Sequence, residues 1–180
     1  MQSGSISSAR SQQRALVVAL GASNLSRGLS RLVTICRRCT LKPIDLFAGA
    51  GHGRSYGANS RTWSRRLPSI LGSGLWRSLD RYSGGDALAC TTRLAVITDI
   101  GNDLLYGFSV EQIVIWIEEI VFRLQQRGFD VVITQLPIES IQAVGSLRFH
   151  VLKSIFVPGC QHSLETIKDQ SIQLNNEISS

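Results

Sequence analysis

The hydrophobic positions of the chain fall into short continuous runs separated by stretches with helical spacing. The continuous apolar run at residues 15–20 predicts a strand that is buried on both faces of a parallel sheet, and the mostly apolar residues 44–48, 94–98 and 131–136 predict three further strands. Helical spacing predicts one helix from Leu25 to about Cys36, one between the N-cap Ser109 and the stop signal Gly128, and a last one that begins at Ser163 and still runs at residue 180.

The remaining segments are predicted from glycine, proline and polar content. Residues 49–57 predict a glycine-dense loop, and residues 59–82 predict an irregular helical region. Residues 1–13 are rich in serine and glutamine and lack the apolar run of a signal peptide, so they predict a disordered leader to a single domain over residues 14–180. Alternating strands and helices predict an α/β fold of the flavodoxin-like kind, with helices on both faces of the sheet.

Composition narrows the functional classes. No apolar segment is long enough to span a bilayer, so we predict a cytoplasmic protein without a membrane span. A net charge of +6 allows a nucleic-acid partner, but no known binding module accompanies the basic residues, and we favour a solvated helix face. The arginines concerned are Arg61, Arg65, Arg66, Arg77 and Arg81, with Trp63 and Trp76 between them.

The four cysteines are predicted to be reduced thiols, because their spacing is not that of a secreted disulfide framework. Cys36 and Cys39 could form half of a zinc site completed by Cys160 and His162. Cys36 falls on the apolar stripe of the first helix, however, where a free cysteine behaves as a small hydrophobic residue. We therefore predict no metal and no other cofactor.

Three loops that follow strands carry the candidate chemistry, because ligands of such sheets bind outside the carboxyl ends of the strands. Ser23 follows the first strand and is either a nucleophile or a simple helix cap. Gly53 lies among three glycines after the second strand, where backbone N–H groups can approach a ligand or merely form a turn. Asn102 follows the third strand, and its amide could donate to an oxyanion or form an Asx-turn.

Serine, glycine and asparagine in this order, after three successive strands, resemble the SGNH (GDSL-type) hydrolases over residues 16–137. In that family block I is Gly-Asp-Ser-Leu, block II holds an oxyanion glycine, block III is Gly-x-Asn-Asp and block V is Asp-x-x-His. The resemblance implies a three-layer α/β/α sandwich, Ser23 as the nucleophile, and Gly53 and Asn102 as oxyanion donors. Ala22 stands where the family has an aspartate.

No Asp-x-x-His occurs in the 180 residues, and the strand that precedes this motif in the family has no counterpart either. We therefore expect the domain to be truncated, with its last strand missing and the general base outside the chain. His52, beside Gly53, is the alternative base or a substrate-binding residue, and Arg54 and Tyr106 are expected to border the cleft and bind substrate.

Two functions follow from these expectations. The first is a serine esterase acting on a small-molecule carboxyl or carbohydrate ester, weakly active as it stands. The second is a non-catalytic binding domain on the same fold, which the missing base favours. His150 and His162 flank residues 147–157, which predict an amphipathic insertion, and His162 is expected to be an ordinary residue at a helix start.

Overall fold

The structure is a computed structural model that describes residues 14–62, 65–85, 90–145 and 162–179. Its strands are β1 Arg14–Leu20, β2 Ile44–Gly49, β3 Ser60–Thr62, β4 Arg65–Leu67, β5 Cys90–Ile97 and β6 Asp130–Ile133. Its helices are α1 Ser23–Thr40, α2 Leu75–Gly85, α3 Asn102–Leu105, α4 Val110–Gln125, α5 Ile138–Gln142 and α6 Leu164–Ser179.

Four strands form one parallel sheet in the order β2-β1-β5-β6. Strand β1 has a neighbour on each side, and its residues 15–20 are at most 1% exposed. That position explains why its apolar run is continuous, since a central strand of a parallel sheet is covered on both faces. The predicted α/β class with a parallel sheet is confirmed.

Helices cover both faces of this sheet. Leu16, Val18 and Leu20 of β1 belong to one core that includes residues of α2, α4 and α6. Because successive side chains of a strand point to opposite faces, the buried Val17 and Ala19 lie on the other face. Helix α1 packs against β1 and β2, and none of its described residues belongs to the first core, so it covers this second face.

The helical region predicted over residues 59–82 is wrong in its first half. Residues 60–67 form an antiparallel hairpin of β3 and β4, and helix α2 begins only at Leu75. Pro68 and the glycines at 72 and 74 disfavour a helix before that point, and the Asn59 side chain accepts a hydrogen bond from the Ser69 N–H at 3.1 Å.

The basic cluster is accordingly not one solvated helix face, as the sequence analysis expected. Arg77 and Arg81 are exposed on α2, whereas Arg61, Arg65 and Arg66 belong to the hairpin. The arginines therefore divide between two elements.

The fourth strand of the sheet ends earlier than the sequence predicts. The predicted strand covers residues 131–136, but β6 ends at Ile133. Leu136 leaves the strand because Asn175 of α6 binds both of its main-chain groups, accepting from its N–H at 2.8 Å and donating to its carbonyl at 3.0 Å. The side chain of a distant helix therefore ends a segment that the local pattern continues.

The predicted helix between Ser109 and Gly128 is confirmed as α4. The Ser109 hydroxyl accepts a hydrogen bond from the Gln112 N–H, and Gly128 follows the helix with a φ of +74°. Within the described ranges, no helix combines the length and apolar character needed to cross a membrane. The predicted leader over residues 1–13, residues 147–157 with His150, and residues Trp63 and Cys160 lie outside the described residues.

Candidate active site

The three candidate loops lie at one edge of the sheet. Strands β2, β1 and β5 are adjacent and parallel, and Leu20 near the end of β1 pairs with Gly49 of β2 and Ile97 of β5. The loops that follow these strands carry Gly53, Ser23 and Asn102 respectively, so the nucleophile candidate lies on the middle loop.

The start of helix α1 is capped by Asp99, which follows β5. One carboxylate oxygen, Oδ2, accepts hydrogen bonds from the N–H groups of Ala22 at 2.9 Å, Asn24 at 3.1 Å and Leu25 at 3.1 Å. The other oxygen, Oδ1, accepts from the Asn24 side-chain amide at 2.9 Å. Asp99 thus supplies the cap that Ala22, at the N-cap position, has no side chain to provide.

This capping omits one N–H group. Ser23 is the first residue of α1 and half-buried, and within the described part of the chain neither its N–H nor its hydroxyl has a hydrogen-bond acceptor. Its neighbours on both sides are bound to Asp99. The Ser23 N–H is therefore available to a ligand at this edge of the sheet.

Sequence reasoning missed Asp99. The signal that could have found it is an aspartate directly after a predicted strand, combined with a helix whose cap position holds alanine. The backbone of Asp99 has a φ of +61°, a left-handed conformation that asparagine and aspartate adopt more readily than most residues. Asn102 is fixed nearby, since its N–H donates to the Asp99 carbonyl at 3.1 Å.

The turn before Ser23 lies close to β5 and leaves no room for a side chain at Gly21. A Cβ at this position would lie 2.8 Å from Cγ2 of Thr98 and 3.0 Å from Cβ of Leu25. Glycine fits here because the side chains of Thr98 and Leu25 occupy the space that a Cβ would need.

Tyr56 connects the second loop to the other two. Its hydroxyl is buried and lies within hydrogen-bond distance of the carbonyls of Leu20 and Thr98, to one of which it can donate at a time. Its N–H donates to Oδ2 of Asp103 at 2.9 Å. The loop that carries Gly53 is therefore held to the ends of β1 and β5 and to the loop that carries Asn102.

Asp103 is a buried carboxyl group at the centre of these contacts. It is 0% exposed, and its Oδ1 has no hydrogen-bond partner among the described residues. Burial raises the pKa of Asp103 from 3.8 to about 6, although the Ser55 hydroxyl and the Tyr56 N–H favour the charged form. Near neutral pH the protein therefore carries a carboxylate that is costly to ionise.

The predicted substrate-binding residues lie around the same edge. His52 is exposed in the turn beside Gly53, whose φ of +73° is a conformation that favours glycine. Arg54 and Tyr106 are half-buried, and burial raises the pKa of the Tyr106 hydroxyl. Tyr106 ends α3, the short helix that begins at Asn102.

His162 lies nearer to this region than its sequence position suggests. A Cβ built on Gly107, in the turn after α3, would lie 3.7 Å from its Nε2. The interpretation of His162 as a residue at a helix start agrees with its place just before α6.

Only some of the ligands proposed for the alternative zinc site lie within the described residues. Cys36 is half-buried on α1 and Cys39 is exposed, and both are free thiols. Burial raises the pKa of the Cys36 thiol. Cys160 lies outside the described residues.

Comparisons with known proteins give a distant structural likeness. No family model matches the chain, and no curated protein is significantly similar to it. Among solved structures, the crystal structure of a carbohydrate acetylesterase family member from Sinorhizobium meliloti is similar, with a TM-score of 0.49 and 13% sequence identity. The match covers 92% of this chain and 76% of that chain. So distant a likeness leaves the function to be inferred from the site itself.

Proposed function

We propose that the protein is a serine ester hydrolase of the SGNH type that acts on a carboxyl or carbohydrate ester. In this proposal Ser23 is the nucleophile. The N–H groups of Ser23 and Gly53 and the side-chain amide of Asn102 stabilise the negative oxygen that forms on the attacked carbonyl.

The observation that carries the proposal is the selective capping of helix α1. Asp99 binds the N–H groups of Ala22, Asn24 and Leu25 but not that of Ser23. An oxyanion hole needs preorganised donors that have no other partner in the resting protein. A serine whose N–H is left open between bonded neighbours meets that requirement, whereas a serine that only capped the helix would bind an N–H of the first turn with its hydroxyl.

The reaction proceeds in two steps. The Ser23 Oγ attacks the ester carbonyl and loses its proton to a base, and the resulting intermediate expels the alcohol, which takes up a proton, leaving an acyl group on Ser23. Water then attacks this acyl group, and the acid leaves while Ser23 regains its proton. We propose that the base is a histidine outside the 180 residues, since none of them matches the Asp-x-x-His pattern. His52 is the second candidate because it is exposed beside Gly53.

The test is hydrolysis of p-nitrophenyl acetate together with mass spectrometry of the acylated protein. We expect acetylation at Ser23 that is lost in Ser23→Ala and kept in the matched variant Ser30→Ala, an exposed serine on the same helix. The slow turnover that remains without the histidine should survive in Ser23→Ala, because the oxyanion and binding groups supply it. Loss of the histidine alone costs on the order of a millionfold in kcat in a serine protease, while oxyanion and binding groups alone retain roughly a thousandfold to ten-thousandfold over water.

The alternative outcomes separate the two functions considered from sequence. Acetylation that is the same in Ser23→Ala would contradict the esterase proposal and favour a non-catalytic binding domain. Rapid Ser23-dependent hydrolysis that His52→Ala abolishes would place the base within the chain. A chain extended through the sequence that follows residue 180 should be faster if that sequence contains Asp-x-x-His.

A further inference from the structure

A cleft of about 350 Å³ lies beside β2, the strand at one edge of the sheet. Phe47, Gly49, Pro68 and Leu75 line it, and Arg54 is the charged residue among its lining groups. The cleft therefore combines one cation with walls that are about equally polar and apolar.

The Arg54 guanidinium has few partners of its own. Its Nη1 donates to the Ala50 carbonyl at 3.2 Å, and its buried Nε has no hydrogen-bond partner among the described residues. Burial lowers the pKa of Arg54, but an arginine side chain stays protonated in proteins. A half-buried cation with unused donors is costly unless an anion joins it.

The carboxylates of Asp45 and Asp99 are bound to other groups. Asp45, also on β2, forms an ion pair with Arg14 and accepts from the Tyr82 hydroxyl. The Asp99 carboxylate accepts hydrogen bonds from N–H groups at the start of α1. Within the described ranges, the ion pairs are Arg14 with Asp45, Arg123 with Glu119, and Arg127 with Asp80, so Arg54 belongs to none.

The cleft is close in the fold to the candidate nucleophile. Arg54 directly follows Gly53, and Gly49 at the edge of the cleft pairs with Leu20, near the end of the strand before Ser23. Adjacent strands are about 4.8 Å apart. A substrate attacked at Ser23 would thus need to extend past one strand to place a second group in the cleft.

We propose that Arg54 and this cleft bind a carboxylate of the ester substrate, so that the preferred substrates are hemiesters of dicarboxylic acids with a short apolar chain. This inference rests on the proposed esterase function. The guanidinium can hold a carboxylate by two parallel hydrogen bonds, and Phe47, Pro68 and Leu75 match the methylene groups between the two carboxyl ends.

Direct binding tests the cleft without relying on catalysis. Titration with glutarate, hexanoate or inorganic phosphate is followed by the NMR signal of the Arg54 Nε–H group. We expect glutarate and hexanoate to shift this signal, and the signals of Phe47 and Leu75, with saturation. In Arg54→Gln the Phe47 and Leu75 shifts should vanish, while Arg54→Lys should retain weakened shifts and the matched charge variant Arg81→Gln should behave as the parent protein.

Kinetics test the link to substrate choice. We compare kcat/KM for the mono-p-nitrophenyl ester of glutaric acid with kcat/KM for p-nitrophenyl butyrate. In Arg54→Gln the ratio of the first value to the second should fall by about tenfold to a hundredfold, which is the range expected for losing a hydrogen bond to a charged group. Arg81→Gln should leave this ratio unchanged.

The outcomes distinguish the cleft from the esterase function. Carboxylate binding that is unaffected by Arg54→Gln, equal loss in Arg81→Gln, or binding of phosphate without binding of carboxylates would overturn the assignment of the cleft. Carboxylate binding that depends on Arg54, in a protein whose Ser23 is acylated by neither ester, would support the cleft and contradict the esterase.

Discussion

Replacing Asp103 by asparagine should remove a pH dependence of stability that the buried carboxyl group causes. The Asp103 side chain is 0% exposed, and its Oδ2 accepts a hydrogen bond from the Tyr56 N–H. Asparagine has nearly the same shape and keeps an oxygen for that N–H, but it cannot ionise. The substitution therefore removes the charge of the side chain and keeps its hydrogen bond to the Tyr56 N–H.

The sign follows from the pKa, which burial raises from 3.8 to about 6 in the folded protein. Between these values the folded state holds a proton that the unfolded state has lost, so rising pH destabilises the fold. The stabilising effect of the protonated group is complete below pH 3.8 and is lost as the pH passes 6. At 1.36 kcal/mol for each pKa unit, the full change is about 3 kcal/mol.

The measurement is urea unfolding of the parent protein and Asp103→Asn between pH 3.5 and pH 8. Other groups titrate equally in both proteins, so the difference between their free energies of unfolding isolates Asp103. We expect this difference to increase in favour of the variant by about 3 kcal/mol as the pH rises across this range. Asp169→Asn, at an exposed position of α6, controls for the change in net charge. A difference that does not vary with pH would refute the reasoning about burial.

Two further predictions concern the packing and the helix start. Gly57→Ala should destabilise the fold by about 3 kcal/mol, because a Cβ there would lie 2.0 Å from the Trp116 ring. Gly28→Ala should instead stabilise the fold by about 0.5–1 kcal/mol, because Gly28 lies in the interior of α1 and a Cβ there would meet no other atom within 4 Å. Thermal unfolding measures both, and a similar shift in the two variants would contradict the packing described. Asp99→Ala should lower the free energy of unfolding by about 2 kcal/mol and speed hydrogen exchange at the first amides of α1. Asp99→Asn serves as the milder control. Unchanged exchange would show that the carboxylate does not cap this helix.

The parts of the fold that the sequence predicted are those that local pattern controls. The apolar run of β1 and the capped, amphipathic α4 are determined by burial on both faces and by side chains within the helix itself. The hairpin and the early end of β6 were missed for a different reason. Asn59 binds Ser69 across the base of the hairpin, and Asn175 binds Leu136 from another helix, so distant side chains determine these boundaries.

The candidate site divides in the same way. Ser23, Gly53 and Asn102 were identified by their position after successive strands, and the strand order places their loops side by side. Their catalytic roles stay predictions. Asp99 and Tyr56 could not be assigned from sequence, because each acts through contacts with backbone groups on other loops, and a single sequence does not reveal which segments meet.

The Asp99 carboxylate would affect an oxyanion at Ser23 in two opposite ways. A carboxylate close to Ser23, the proposed nucleophile, opposes a second negative charge, yet this one is already bound by three backbone N–H groups and the Asn24 amide. Those hydrogen bonds spread its charge over the first turn of α1 and hold that turn in place. The Ser23 N–H, fixed between two bonded neighbours, then needs no reorganisation before it can donate to a substrate oxygen. Because preorganised donors contribute more than donors that must first be ordered, the same carboxylate that repels an oxyanion also prepares the group that would bind it.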